Sequence, residues 1–229
     1  MALRACAPSS GIRVRPSPAP ASPVSCAAWV FARCKNAPSF PAPPWPIPPP
    51  FPPNLLLNAG PVTRPDQVWV TDITYILTGE GWLYLAAVMD LHTRRILGWA
   101  TADHLRTSLV TEAIHRARFT RSGHDPTGTI LHSDRGCQYT SAPCRQTLRL
   151  LRMTQSMSRR ANCYDNAAME SFWASLKTEA LTAIPSTHAN ARLLIHDYID
   201  AFYNTRRLHS SLGFQPPIAF ESSLLNSLN

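Results

Sequence analysis

The pattern of hydrophobic and polar positions changes abruptly about a quarter of the way along the chain. From residue 67, the segment QVWVTDITYIL is β-branched and aromatic and alternates between two faces, which predicts a strand. After the turn TGEG, the almost wholly apolar WLYLAAVMDL predicts a strand that is covered on both faces, and TRRILGWATAD predicts a third. The short links favour an antiparallel meander of these three strands.

Helical spacing follows the meander. Leu109, Ala113 and Ala117 recur every four residues in TSLVTEAIHRARF, a predicted helix that Thr107 or Ser108 would cap. The next predicted elements are the strand TILHS, the helix APCRQTLRLLRM, the strand TQSMS, the helix AAMESFWASLKTEAL and the helix HANARLLIHDYIDAFYNTRR. The last helix carries one apolar face, formed by Leu193, Leu194, Tyr198, Ile199 and Phe202. We therefore predict an α/β domain whose mixed sheet has an antiparallel start and parallel additions.

The leading part of the chain has a different composition. Seventeen of the 22 prolines precede Asp66, and PAPPWPIPPPFPPN is the densest stretch, which favours polyproline II or disorder over helix or strand. This part could be an SH3-type ligand, a transit peptide, or sequence translated from too early a start. We predict a disordered segment without a function of its own at residues 1–53, a folded domain at 54–222 and a tail at 223–229.

Charge and cysteine content narrow the class of protein. The net charge of +8 suggests a polyanionic partner, but residues 1–65 hold six of the 22 basic residues and no acidic ones. The remaining 16 basic and 14 acidic residues leave the folded part only slightly basic. The six cysteines form no CxxC pair, which argues for reduced thiols and against a zinc site. No apolar run approaches the length of roughly 20 residues that a membrane-spanning helix needs.

Three acidic residues stand out by their position. Asp72 interrupts the first strand, Asp134 ends the fourth, and Glu170 lies in the first turn of the third helix. If the first and fourth strands are neighbours, both aspartates reach the same sheet edge. Carboxylate oxygens are ligands for Mg²⁺ or Mn²⁺, and a pair of such ions can drive an in-line displacement at phosphorus. Taken singly, Asp134 could be a turn former and Glu170 a solvated helix residue. Asp90 and Asp103 also end strands, and we interpret both as turn or loop acids.

Several longer blocks carry a resemblance to a known family. VWVTDITYI, GWLYLAAVMDLHTRRILGW, LHSDRGCQYTS, SMSRRANCYDNAAMESFWASLKTE and YNTRRLHSSLGFQPPIAFE strongly resemble transposases of bacterial insertion sequences that have a retroviral-integrase-type catalytic core. The resemblance implies a ribonuclease H-like fold and a D-D-E metal triad of Asp72, Asp134 and Glu170. It further implies a polynucleotidyl transferase that uses two Mg²⁺ or Mn²⁺ ions to cut DNA strands and to join them.

The same resemblance implies the partners. These would be the DNA ends of the element and its target, further copies of the same chain, and a separate helix-turn-helix subunit, in the bacterial cytoplasm. Residue chemistry adds candidate DNA contacts, since arginine and lysine suit phosphates and tyrosine stacks on unpaired bases. They are Lys177, Arg159, Arg160, Asn162, Tyr164, Asn166, Arg206 and Arg207. The alternative for Asp165 or Asn166 is capping of the helix, and for the arginines solvated charge. We expect His132 to support the strand edge and the tryptophans at 69, 82, 99 and 173 to lie in the core.

The chain also departs from the family. Transposases of this kind carry helix-turn-helix segments upstream, whereas here the corresponding region is rich in proline. We therefore expect a complete catalytic apparatus without the targeting one. Two other hypotheses stay open: a truncated remnant that only binds DNA or interferes with an intact transposase, and a proline-rich adaptor.

Overall fold

A five-stranded mixed sheet forms the centre of the computed structural model, which describes residues 51–57, 59–159 and 166–227. The strands are β1 (Val68–Thr78), β2 (Gly81–Asp90), β3 (Ile96–Ala102), β4 (Ile130–Ser133) and β5 (Thr154–Met157). Their order across the sheet is β3-β2-β1-β4-β5. The pairs β1–β2 and β2–β3 are antiparallel, and β1–β4 and β4–β5 are parallel, so the predicted sheet is confirmed.

Helices cover both faces of the sheet. They are α1 (Thr107–Thr120), α2 (Cys137–Thr140), α3 (Ala142–Leu150), α4 (Ala167–Glu179), α5 (His188–His196) and α6 (Pro217–Ser227). One core lies between the sheet and α1 and α3, and a second lies between the sheet and α4 and α5. Strand β2 is buried from both sides, as its continuous apolar run predicts. No helix in these described ranges is long and apolar enough to cross a lipid bilayer.

The last predicted helix differs from the expectation. It is α-helical only to His196 and continues as a π-helix over Asp197–Tyr203, followed by a 3₁₀ turn at Ser210–Leu212. Its buried positions include Ile195, Ile199 and Tyr203, whereas Leu193 is 65% exposed and Phe202 is 40% exposed. The predicted apolar face is therefore wrong at two of its members. The face that packs is set by the sheet beneath it and by the wider π turn, neither of which hydrophobic spacing reveals.

Other predictions need correction at single positions. Helix α1 begins after Arg106 without a side-chain cap, so neither Thr107 nor Ser108 caps it. Trp82, near the start of β2, is 51% exposed and is not a core residue, unlike the fully buried Trp69. Helix α6 spans the predicted boundary between the folded domain and the tail.

A buried ionic cluster fixes α6 to the rest of the domain. The Arg121 guanidinium at the end of α1 binds both carboxylate oxygens of Glu221 in α6, and its Nε lies 3.0 Å from Asp66 Oδ1. Arg95 adds a second contact to Glu221 at 3.1 Å. Asp90 accepts hydrogen bonds from the backbone N–H groups of Thr93 and His92 in the turn after β2. The prediction that Asp90 is a turn acid is thereby confirmed.

Candidate active site

Asp72 lies in β1 on the face that packs against α4. Its Oδ2 accepts a hydrogen bond of 2.9 Å from Nε1 of Trp173 in that helix. Burial is the largest cause of a pKa of about 6 for Asp72, against an ordinary value of 3.8, and the charges of Asp134 and Glu170 add to it. The carboxylate therefore sits where a nearby cation would stabilise it strongly.

Asp134 follows β4 directly, beside the same stretch of β1. The parallel register pairs Val70 with His132, so two residues further on Asp134 comes level with Asp72. Asp134 is exposed, and its Oδ1 accepts a hydrogen bond of 3.0 Å from the Gly136 N–H. The turn-forming interpretation is thus correct for Asp134. Its other carboxylate oxygen faces solvent at the sheet edge.

Glu170 reaches the same region from α4. It is exposed in the first turn of the helix and precedes Trp173 by three residues, which puts both on one face. Because Trp173 binds Asp72, the face that carries Glu170 is turned towards β1. The structure therefore brings the three acids that the sequence singles out into one region, and the charges of Asp134 and Glu170 both act on Asp72.

The three carboxylates are not close enough together to surround one metal ion. Within the described ranges, no group of three or more histidine, cysteine or acidic side chains is close enough to hold one metal ion. Mutual repulsion keeps like charges apart, and Gly136 and Trp173 each hold one of the aspartates. The donor chemistry nevertheless fits a hard divalent cation, since the groups offer only oxygen ligands and carry an uncompensated negative charge.

The residues behind the site hold its strands in register. Tyr139 and Thr71 lie with their hydroxyl oxygens 3.2 Å apart, and Asn166 Nδ2 donates to the Thr71 carbonyl at 3.4 Å. His132 is fully buried, with Nδ1 2.9 Å from Ser156 Oγ and Nε2 3.1 Å from Ser158 Oγ. His132 therefore bridges β4 and β5, which confirms its supporting role and removes it from the reacting edge.

Sequence reasoning missed two of these contributions. Trp173 was expected in the core, and it is buried, but its indole N–H also orients Asp72. Asn166 begins α4 without capping it through its side chain, and its amide binds β1 instead. The spacing of Trp173 from Glu170 was the available signal, because a tryptophan on the face of a candidate ligand can reach it.

The candidate DNA contacts fall into three groups. Lys177 and Arg206 are exposed, Lys177 two turns beyond Glu170 on α4, and Arg159 is exposed at the end of the described stretch after β5. Arg207 is held by Glu179, at 3.0 Å from its Nε and 2.8 Å from Nη2. Arg160, Asn162 and Tyr164 lie outside the described residues.

Comparison with protein families places the chain among known sequences. Two family models, both described as integrase core domain, match residues 62–163 and 151–217. The 31 kDa protein of insertion element IS600 from Shigella sonnei is 44% identical over 172 residues, which is 75% of this chain and 62% of that protein. The transposase of insertion sequence element IS904 from Lactococcus lactis is 42% identical over 170 residues, 74% of this chain and 66% of the relative. The transposase InsF of IS3A from Escherichia coli is 39% identical over 176 residues, 75% of this chain and 59% of the relative.

The chain thus spans roughly three fifths to two thirds of the length of these relatives. Solved structures with the same fold include the catalytic core domain of BIV integrase, at a TM-score of 0.51 and 14% identity over 71% of this chain and 97% of that one. A chain of a simian T-cell lymphotropic virus intasome gives a TM-score of 0.56 at 13% identity, over 69% of this chain and 54% of that one. The HTLV-2 integrase catalytic core in complex with magnesium gives 0.51 at 12%, over 69% and 97%.

Proposed function

Because this chain belongs to the integrase core domain family of insertion-sequence transposases, we propose that it cuts DNA strands and joins them to new positions. The observation that supports the proposal is the position of Asp134 and Glu170, near enough to Asp72 at the sheet edge for their charges to act on its carboxylate. The reaction class is polynucleotidyl transfer. Water would first attack a phosphodiester and displace the 3′-oxygen of the broken bond, which leaves as a 3′-hydroxyl. That 3′-hydroxyl would then attack a phosphodiester of the target DNA and displace the target's own 3′-oxygen.

The three carboxylates would hold the divalent cations that this chemistry needs. Asp72, Asp134 and Glu170 would together hold two such ions, Mg²⁺ or Mn²⁺. When bound, such ions lower the pKa of an attacking oxygen and stabilise the charge on the leaving one. The HTLV-2 integrase core, which shares the fold, is described in complex with magnesium.

The residues of the chain itself position the reactants. Trp173 fixes the orientation of Asp72, and the Gly136 N–H fixes one oxygen of Asp134, so two of the three ligands need little reorganisation. Lys177 lies on the Glu170 face of α4, where its ammonium group can neutralise a DNA phosphate. The segment that precedes α4 in the sequence would bind the DNA end through Arg159, Arg160, Asn162 and Tyr164.

The partners follow from the reaction. Joining two element ends to one target needs more than one active site, so we propose that copies of this chain assemble on DNA. A separate helix-turn-helix subunit would supply recognition of the terminal repeats. The cutting and joining of DNA would take place in the bacterial cytoplasm.

A nicking assay tests this function. Purified protein is incubated with supercoiled plasmid and with a labelled oligonucleotide duplex from the ends of its element, in Mg²⁺, in Mn²⁺ and in EDTA. We expect metal-dependent nicks that disappear in Asp134→Asn and Glu170→Gln. The proposal would be contradicted if both variants still nicked DNA, or if the wild-type protein nicked DNA neither in Mg²⁺ nor in Mn²⁺.

A further inference from the structure

The turn between β2 and β3 contains an arginine in a conformation that arginine rarely adopts. Arg94 has φ of 60°, in the left-handed region that glycine and asparagine occupy most easily, and its N–H donates to the Asp90 carbonyl at 2.9 Å. Glycine would form the same turn with less strain. Residues strained in this way cluster at active sites and ligand-binding sites.

The Arg94 side chain lines a cavity of about 520 Å³ beside α4. Ser171 and Ser175 of α4 also line this cavity, as do Arg207 and His209. Ser171 follows Glu170 directly, so the cavity begins within one helical turn of the candidate active site. Arg94 also lines two further cavities of about 340 and 520 Å³, so it is a shared wall residue of all three.

Arg94 supplies the unbalanced charge of the cavity. Arg207 is neutralised by Glu179, whereas the Arg94 guanidinium has no ion pair or hydrogen bond to another side chain within 51–57, 59–159 and 166–227. Burial, followed by the charges of Arg207 and Arg94, lowers the pKa of His209 to about 4, so His209 is neutral at pH 7. The cavity therefore carries about one positive charge.

His209 adds a hydrogen-bonding group that the fold leaves unused. Its Nε2 is buried and has no hydrogen-bond partner in the described part of the chain. In the tautomer protonated at Nε2, this nitrogen is a donor, and a buried donor without a partner costs free energy until a ligand supplies an acceptor. One positive charge, an unused imidazole nitrogen and two serine hydroxyls are together the recognition chemistry of a phosphodiester.

We propose that the Arg94 cavity binds a backbone phosphate of the DNA strand that leaves the active site across α4. The inference rests on the proposed function, because it assumes that DNA is the substrate. It assigns the phosphate to Arg94, with Arg207 as a positioning residue that Glu179 holds in place. A cavity of about 520 Å³ is larger than one phosphate group, which favours a polymer over free inorganic phosphate.

The test measures DNA affinity against salt concentration by fluorescence anisotropy, with a labelled duplex of 30 base pairs. One phosphate contact contributes about 0.9 to the slope of log affinity against log salt. We expect Arg94→Ala to reduce the slope by about that amount and to weaken binding about eightfold near 0.1 M salt. Arg94→Lys keeps the charge and should keep the slope. Arg149→Ala removes an exposed arginine of α3, on the other side of the sheet, and should match the wild type.

Arg94→Gly separates binding from folding. It should weaken DNA binding as Arg94→Ala does, yet raise the thermal unfolding midpoint, because glycine adopts the left-handed turn without strain. If wild-type protein binds no DNA, the proposed function fails. If wild-type protein binds but Arg94→Ala and Arg94→Gly leave affinity and slope unchanged, the phosphate site is wrong. Unchanged binding with a lower midpoint in both variants would instead assign Arg94 a structural role within the chain, and would equally overturn the proposal.

Discussion

Trp173 donates a hydrogen bond of 2.9 Å from its Nε1 to Oδ2 of Asp72, and this contact joins α4 to the central strand of the sheet. The two residues are 101 positions apart in sequence. Since Glu170 lies one turn before Trp173, the bond also sets which way the Glu170 face of α4 is turned. A single indole thereby links two of the three candidate metal ligands.

Trp173→Phe should keep the buried ring and lose the bond. Outer partners of metal ligands typically contribute about 10- to 100-fold in metal affinity or activity, and we expect a loss of metal-dependent nicking in that range. The hydrogen bond lowers the pKa of Asp72, so its loss should raise that pKa above the present value of about 6 and shift the acid limb of the rate profile to higher pH. Rates measured from pH 5 to 9 give both numbers.

Trp82→Phe is the matched control, because Trp82 is 51% exposed and lies near the start of β2. It should leave the nicking rate and its pH profile at wild-type values. Equal losses in the two variants would show that the Trp173 effect does not arise from Asp72.

Asp72→Asn should stabilise the metal-free protein while abolishing activity. A carboxyl whose pKa is raised by folding contributes its full stability below the unfolded pKa, and loses it as the pH rises through the folded value. The advantage of the asparagine variant should therefore be absent near pH 4 and grow to about 1–3 kcal/mol by pH 7, as follows from a pKa of about 6 against 3.8. Urea denaturation in EDTA at several pH values measures it.

Added Mg²⁺ should reverse that order. An ion that binds only the folded protein stabilises it in proportion to its occupancy, so wild-type protein should gain unfolding free energy in millimolar Mg²⁺ and the Asp72→Asn variant should not. If Mg²⁺ stabilises both proteins equally, Asp72 is not a ligand.

Glu221→Gln should destabilise the domain through the ionic cluster that holds α6. Burial opposes ionisation of Glu221, but the guanidinium groups of Arg121 and Arg95 outweigh it and hold the pKa below its usual range. Removing the carboxylate leaves Arg121 buried without its main partner, a loss of about 2–4 kcal/mol at pH 7. A group with a lowered folded pKa contributes stability above its unfolded pKa and loses it on acidification, so the difference between variant and wild type should shrink below about pH 4.5.

Glu112→Gln provides the comparison for that cluster. Glu112 pairs with Arg116 at 2.8 Å on the surface of α1, with both side chains 53% exposed, and solvent screens such pairs. Its urea midpoint should stay close to the wild-type value. A midpoint for Glu221→Gln that also stays there would show that α6 is not anchored through Arg121.

Local patterns predict much of this fold because much of it is locally encoded. Alternation in β1, the apolar run of β2 and the four-residue spacing in α1 each report burial directly. Asp72 was recognisable because a charge in such a strand is costly without a partner. Asp134 needed one further assumption, the pairing of β1 with β4, which the parallel register supports.

The features that the sequence did not reveal depend on distant contacts. The bond from Trp173 to Asp72 and the pairing of Arg121 with Glu221 each join residues about a hundred positions apart. Helix α6 is weakly amphipathic and rests on that ion pair, so no periodic signal marks it. The left-handed turn at Arg94 is equally hidden, since arginine does not favour that conformation.

Titration with Mn²⁺ tests the central claim, that Asp72, Asp134 and Glu170 act together as one divalent-cation site. Free Mn²⁺ is followed by electron paramagnetic resonance as wild-type protein and the variants Asp72→Asn, Asp134→Asn and Glu170→Gln are added in turn, with Glu112→Gln as the control. The account predicts binding by wild type and by the control, and at least about tenfold weaker binding by each of the three variants. It is contradicted if the wild-type protein binds no Mn²⁺, or if any of the three variants binds it as tightly as the wild type.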